Sequence, residues 1–189
     1  MNPVIEFLQQ RGSTPAAQLV DPAPNADELN ACFQASASAP DHGGLMPWRF
    51  EVINAEQRHR FADILEAALL ERDPEATEQA CSRERKRALR APMIIMVIAC
   101  LDDSHPKIPL IEQQITAGCA ALQCMQALQS CGYGAVWLTG TRVYHPSLTR
   151  RLGLAEHEQI IGLINTGTAQ TPTATKPRRT VDVRFWESM

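Results

Sequence analysis

The sequence predicts a layered domain of the α/β or α+β class. Three observations carry this. The run "MIIMVIAC", Met93 to Cys100, is continuously apolar and reads as a central strand covered on both faces. Three other stretches have strand character: "WRFEVI", "GYGAVWLTG" and "IIGLINTG". Five or six segments of helical periodicity lie around and between them, and strands mixed with helices fold as helices packed on a sheet.

In order along the chain, Val4 to Gln10 place Val4, Ile5 and Leu8 at helical spacing and predict a short amphipathic helix. Pro15, Pro22 and Pro24 then break regular structure. Asn25 or Asp27 can cap a second helix that reaches about Ala37. Trp48 to Ile53 alternate apolar and polar side chains and form the first strand. A long helix over about Ala55 to Leu70 gathers Phe61, Ile64, Leu65, Ala68 and Leu69 on one side. The next, about Glu75 to Leu89, contains "SRERKR" (Ser82 to Arg87), which reads as a solvated face.

Beyond the central strand, Ile111 to Cys131 form a helix apolar nearly all round and rich in small residues, among them Ala117, Gly118, Cys119, Ala120 and Ala121. Such a helix needs neighbours on every side, and a second subunit is one way to supply them. A glycine-flanked strand comes next, then a short helix over Ser147 to Leu152, and a fourth strand over Ile160 to Gly167. Residues 170–189, with Pro172 and Pro177, read as an extended arm, and residues 1–189 are expected to form a single domain.

The chain has 189 residues, 44% hydrophobic and 21% charged, a globular composition. A net charge of −3 and a pI near 6.0 give no footprint for nucleic acid or an anionic membrane. The N-terminus lacks the apolar core of a signal peptide, and no apolar run approaches the ~18 residues of a membrane span, so a cytoplasmic location is expected. Six cysteines without a C-x-x-C pair read as free thiols, with no metal site and no disulfide framework.

Familiar catalytic motifs are absent: there is no G-x-S-x-G, no P-loop, no H-E-x-x-H and no G-x-G-x-x-G after a strand. His59 and His157 have polar surroundings, and His105 and His145 each precede a proline in turn-like sequence. His42 stands apart, in a loop dense with turn chemistry, "APDHGGLMPWRF" (Ala39 to Phe50). Arg11 and Ser13, just past the first helix, offer a cation and a hydrogen-bond donor of the kind a phosphate needs. The same Arg11 at a helix C-terminus would equally complement the helix dipole.

Four of these segments, in order, resemble the FMN-dependent nitroreductases, and among them the small NAD(P)H nitroreductase subgroup of the YdjA type. They are "LQQRGS" (Leu8 to Ser13), "APDHGGLMPWRF", the stretch Glu112 to Gly140 and "IIGLINTGT". The resemblance implies an α+β fold, a three-layer α/β/α arrangement around a mostly antiparallel sheet, in an intertwined homodimer with FMN at the interface. It implies FMN contacts at Arg11, Gly12 and Ser13 and at Trp137, Leu138 and Thr139, with Ser38 and His42 reaching the flavin across the interface. It places a nicotinamide segment at Ala127, Leu128, Gln129, Ser130, Cys131 and Gly132. Lys176 and Arg178 are further phosphate candidates.

The resemblance also implies an oxidoreductase in which NADH or NADPH reduces FMN and a nitroaromatic, quinone or flavin-like acceptor reoxidises it by a ping-pong mechanism. No side chain is expected to act as an obligatory catalytic acid or base. The chain also departs from the subgroup: Gly12, Ser38 and Leu138 stand where relatives carry cations, and Met46 where they carry Gln or Asn. A weakened hold on the cofactor leaves a second reading open, a vestigial flavin-binding dimeric module with little turnover.

Overall fold

Met93–Cys100 is the centre of the protein. In this computed structural model, which describes residues 2–171 and 178–186, seven of its eight residues are buried. In chain order the elements are α1 (Pro3–Gln10), β1 (Leu19–Val20), α2 (Ala26–Ser36), β2 (Trp48–Ile53), α3 (Arg58–Arg72), α4 (Glu78–Ala88), β3 (Met93–Cys100), α5 (Leu110–Ser130), β4 (Gly134–Leu138), α6 (Thr141–Tyr144), α7 (Pro146–Leu152) and β5 (Glu158–Ala169). Short 3-10 turns add Ala16–Gln18 and His42–Gly44.

Every strand pairing is antiparallel. β3 lies between β2 and β5, and the far side of the long strand β5 pairs with both β4 and β1. Strand alternation sends successive β3 side chains to opposite faces. Ile94, Met96 and Ile98 pack under α3, α4, α6 and α7 with Phe61, Leu65, Ala88, Val143 and Leu148. Met93, Ile95 and Val97 pack under α2 and α5 with Leu29, Cys32, Cys124 and Leu128. The result is three layers, helix–sheet–helix, as expected of the α+β class.

Helix boundaries follow local chemistry. α2 starts at the Asn25 cap, whose carboxamide accepts the Glu28 N–H at 3.0 Å while the Glu28 carboxylate accepts the Asn25 N–H at 2.9 Å, a reciprocal capping box. α3 starts at Arg58 rather than Ala55, because Asn54 Oδ1 accepts the N–H groups of Glu56 and Gln57 and holds a turn there. α4 starts at Glu78 rather than Glu75, behind the Thr77 cap. His145 caps α7, and His105 accepts the N–H groups of Lys107 and Ile108 in its turn.

Several expectations change. The sheet has five strands rather than four: Leu19–Val20, within the proline-rich break, pairs with Thr168 and Ala169. α6 is an additional helical turn after Gly140, whose φ of 123° only glycine adopts freely. The basic run in α4 is a solvated face only in part, because Glu84 within it is buried at 5% exposure. Among the described residues no helix is long and apolar enough to cross a membrane.

α1 and α5 leave apolar side chains uncovered. Val4, Ile5 and Leu8 of α1 are exposed, and α1 buries none of its residues. On α5, Ile111, Ile115 (59% exposed) and Leu122 recur at spacings of four and seven and form one outward stripe. Residues 178–186 form no regular element, and Val181, Val183, Phe185 and Trp186 among them are exposed.

Candidate functional site

The R-G-S element is held where α1, α5 and β4 meet. Arg11 is the C-cap of α1, and its N–H donates to the Leu8 carbonyl. Gln129 Nε2, from the last turn of α5, donates to the Gly12 carbonyl at 2.5 Å. One residue beyond Ser13, the Thr14 N–H donates to the Ala135 carbonyl of β4 at 3.0 Å. These bonds frame a cleft of about 440 Å³ lined by Phe7, Arg11, Gly12, Gln129, Gly132 and Thr168, among others.

The cationic character of this cleft is concentrated at one end. Arg11 Nη1 lies 3.5 Å from the Ser13 hydroxyl, and Arg178 donates to the Arg11 carbonyl, which brings a second guanidinium from the C-terminal segment to the same corner. Lys176, the other phosphate candidate, lies outside the described residues.

β4 leads from this cleft to a second one. The strand covers five residues, roughly 16 Å of chain, and is paired on one side by β5. The Ala135 carbonyl points away from β5 to meet Thr14, and by the two-residue alternation of a strand the main-chain groups of Trp137 share that open side. Those of Val136 and Leu138 face β5 instead. At its far end Trp137 and Thr139 border a cleft of about 700 Å³ together with Gln114, Tyr144 and Glu158.

The side chains of Trp137 and Leu138 separate to opposite faces of the sheet. The Trp137 indole lies against the backbone of Gly162, so close that a Cβ there would fall 1.9 Å from its Nε1. The Leu138 side chain points to the other face, toward Arg87, Arg90 and Arg142. The Leu138 side chain therefore does not reach the α5 side, and its main-chain groups are turned toward β5.

Ser38 and His42 lie elsewhere, along α5. The Ser38 hydroxyl accepts from Gln123 Nε2 at 3.1 Å, and His42 Nδ1 meets Glu112 Oε2 at 2.7 Å. Asp41 Oδ2 accepts the Met46 N–H at 2.7 Å and closes the loop. Gly43 and Gly44 have φ of 71° and 67°, and Met46 takes φ 48°, a conformation glycine and asparagine adopt more easily. Within one chain Ser38 and His42 do not meet Arg11 or the β4 edge.

Of the segment Ala127–Gly132, Gln129 and Gly132 line the first cleft. Leu128 is fully buried in the α2/α5 core, and Ala127 packs against that core. The Ser130 hydroxyl donates to the Ala127 carbonyl, while Cys131 is the exposed C-cap of α5. The segment thus offers the two ends of a turn rather than six contacts. Sequence reasoning did not single out Glu112, Gln114 or Gln123. All three are polar positions on a helix otherwise read as apolar, and that contrast was the available signal.

The nitroreductase family model matches residues 18–168. Over 171 residues the chain is 34% identical to a protein of Escherichia coli (strain K12) provisionally named NAD(P)H nitroreductase YdjA, covering 90% of this chain and 91% of the relative. Two solved structures share the fold. The nitroreductase-like family protein from Bacillus cereus superposes with a TM-score of 0.80 at 22% identity, covering 94% of this chain and 91% of the other. A provisionally named nitroreductase from Desulfovibrio desulfuricans, solved in complex with FMN, superposes with a TM-score of 0.71 at 23% identity, covering 98% and 99%.

Proposed function

Because the chain belongs to the nitroreductase family, we propose that it is an FMN-dependent NAD(P)H oxidoreductase that works as a homodimer and reduces nitroaromatic, quinone or flavin-like acceptors. The observation that carries this reading is the meeting of Arg11, Ser13 and Arg178 at one end of β4, whose open main-chain edge leads to the larger cleft at the other.

The donor set fits FMN. Its phosphate, of about −1.5 to −2 charge, calls for cations and hydroxyl donors, which Arg11, Arg178 and Ser13 provide. Its flat, heteroatom-edged ring calls for main-chain donors without side chains in the way, which the open edge of β4 provides. Bound FMN would supply the hydride-accepting and hydride-donating chemistry, and one shared site for donor and acceptor means ping-pong kinetics.

The chain's own residues bind and orient. Arg11 and Ser13 hold the phosphate, and Trp137 and Thr139 orient the ring from the β4 edge. Gln129 and Gly132 lie where the nicotinamide cofactor would pass. Ser38 and His42 serve the second subunit's site, because within one chain they sit along α5 beside the exposed stripe of Ile111, Ile115 and Leu122. A dimer formed over that stripe would bring the His42 loop to the other cleft and exclude water from it. The six cysteines are all free, in keeping with a reducing cytoplasm.

One observation favours the second reading, a flavin-binding module with little turnover: the Leu138 side chain points away from the α5 face, and neither Gly12 nor Ser38 adds a cation. The deciding experiment is the visible absorption spectrum of the purified protein, followed by NADPH and NADH consumption with nitrofurazone or menadione after FMN reconstitution. Bound flavin with turnover supports the oxidoreductase. Bound flavin without turnover supports the module, and a protein that takes up no FMN overturns both.

A further inference from the structure

Two cysteines from different helices meet at the C-terminal end of α5. Cys32, in the middle of α2, is buried at 1% exposure. Cys131, the C-cap of α5, is exposed, and it is the one exposed cysteine among the described residues. The Cys32 S–H donates to the Cys131 sulfur. A second link holds the same two elements together: Tyr133, two residues past Cys131, donates its hydroxyl to Glu28, one turn before Cys32. Residues four apart on a helix share a face, so Glu28 and Cys32 both look toward the end of α5.

The two thiols differ in what they can do. Attack on an oxidant needs a thiolate that the oxidant can reach. Cys131 meets solvent, and Cys32 does not. Burial first, and then Cys131, pushes the Cys32 thiol up to about 11, so it stays protonated at neutral pH. Cys124 belongs to the same α2/α5 cluster but is fully buried, out of reach of solvent. An exposed thiol in contact with a covered one is the layout in which oxidation stops at a disulfide, because the second thiol captures the sulfenic acid before it oxidises further.

We propose that Cys131 and Cys32 form a reversible oxidation site for hydroperoxides, in which Cys131 reacts first and Cys32 resolves it. The Cys131 thiolate attacks one peroxide oxygen: the O–O bond breaks, an S–O bond forms, and the departing hydroxide takes up the proton that Cys131 released. The Cys32 sulfur then attacks the sulfenic acid: an S–S bond forms, the S–O bond breaks, and the Cys32 proton leaves with the hydroxyl as water. The two thiols lose two electrons and the peroxide gains them. A thiol reductant reverses the change by exchange. The site borders the first cleft, whose wall includes Gly132 and Tyr133, but the chemistry uses no flavin.

Treatment of the reduced full chain with hydrogen peroxide, followed by alkylation and peptide mass mapping, tests this. Wild type should lose two of its six thiols. The peptide carrying Cys32 should be joined to that carrying Cys131, and dithiothreitol should separate them. Cys131→Ser should leave the remaining thiols reduced under the same treatment. Cys32→Ala should stop at a Cys131 sulfenic acid that dimedone labels and that goes on to sulfinic acid. If Cys32→Ala does not fold, the wild-type map and Cys131→Ser decide the matter. Cys131 left unreacted, Cys131 carried to sulfinic acid in wild type with Cys32 still reduced, or a disulfide joining any other pair would overturn the proposal.

Discussion

His42 Nδ1 and Glu112 Oε2 lie 2.7 Å apart although 70 positions separate them in sequence. The contact fastens the Gly43–Gly44 loop to the first turn of α5. At 57% and 46% side-chain exposure the pair contributes under ~1 kcal/mol to the fold of one chain. Its larger effect is on the ring: a proton shared at Nδ1 leaves Nε2 as the free nitrogen. His42→Ala should therefore keep the wild-type melting curve while changing FMN affinity or turnover. Wild-type values of both would make the loop purely structural.

Arg11→Ala should weaken FMN binding by ~1.5–3 kcal/mol, the range for a hydrogen bond to a charged group. Fluorescence titration of the apoprotein measures it. An unchanged dissociation constant would shift the phosphate to Arg178 alone.

Ile115, in the middle of the exposed α5 stripe, is the position at which to test self-association. Wild type should sediment as a dimer at micromolar concentration. Ile115→Glu, which buries a carboxylate if the stripe is covered, should sediment as a folded ~21 kDa monomer. A wild-type monomer would sink the shared-site reading.

Gly162 leaves room for the Trp137 indole and for nothing else. Gly162→Ala should cost about 2–3 kcal/mol in urea unfolding, at the upper end for overpacking. In a Trp137→Ala background the same substitution should cost under about 1 kcal/mol, because the clash partner is gone.

The Tyr133 hydroxyl donates to Glu28 Oε2 at 2.7 Å. That bond, with some burial, pushes the Tyr133 phenol up to about 12. A raised phenol favours the protonated form in the fold, so its contribution is complete below its unfolded value near 10 and is lost as pH rises through about 12. Glu28 moves the other way, held low first by the Asn25 N–H and then by Tyr133. Its contribution is present above its unfolded value of 4.5 and is lost on acidification. Stability measured against pH should show an alkaline loss between about 10 and 12 that Tyr133→Phe reduces, the remainder coming from the thiols of Cys32 and Cys124, which burial pushes up to about 11 and about 12. An acid limb should survive in that variant, since the Asn25 N–H remains.

The legible parts of this protein are those whose signal is local and long enough to repeat. β3 was readable because both its faces are covered, which left no polar residue to interrupt Met93–Ala99. α5 was readable from its small residues, and Asn25 as one of two cap candidates with Asp27, between which the capping box with Glu28 decides. β1 was not: Leu19–Val20 is a strand only because residues 168 and 169 lie beside it. Glu84 was hidden because a charge in a basic run carries no mark of burial, which Arg72, Arg87 and Arg142 impose from three elements. The candidate site divides the same way. Arg11, Ser13 and Trp137 were found through motifs, and the glycine-rich loop through its turn chemistry. The aim of Leu138 follows from strand alternation once Trp137 is fixed against Gly162, and the partners Glu112 and Gln123 follow only from the packed helix.

β5 pairs with β1, β3 and β4, and only β2 is satisfied without it. During synthesis at roughly 5–20 residues per second, the other four strands are all made before β5, the one that joins β1, β3 and β4. Until then β3, an unbroken apolar strand, has no partner but β2 to pair with, and the edge that β5 covers is open. That edge is the template on which another unfinished copy would most readily pair. β5 is thus the strand that takes this apolar edge out of reach of other chains.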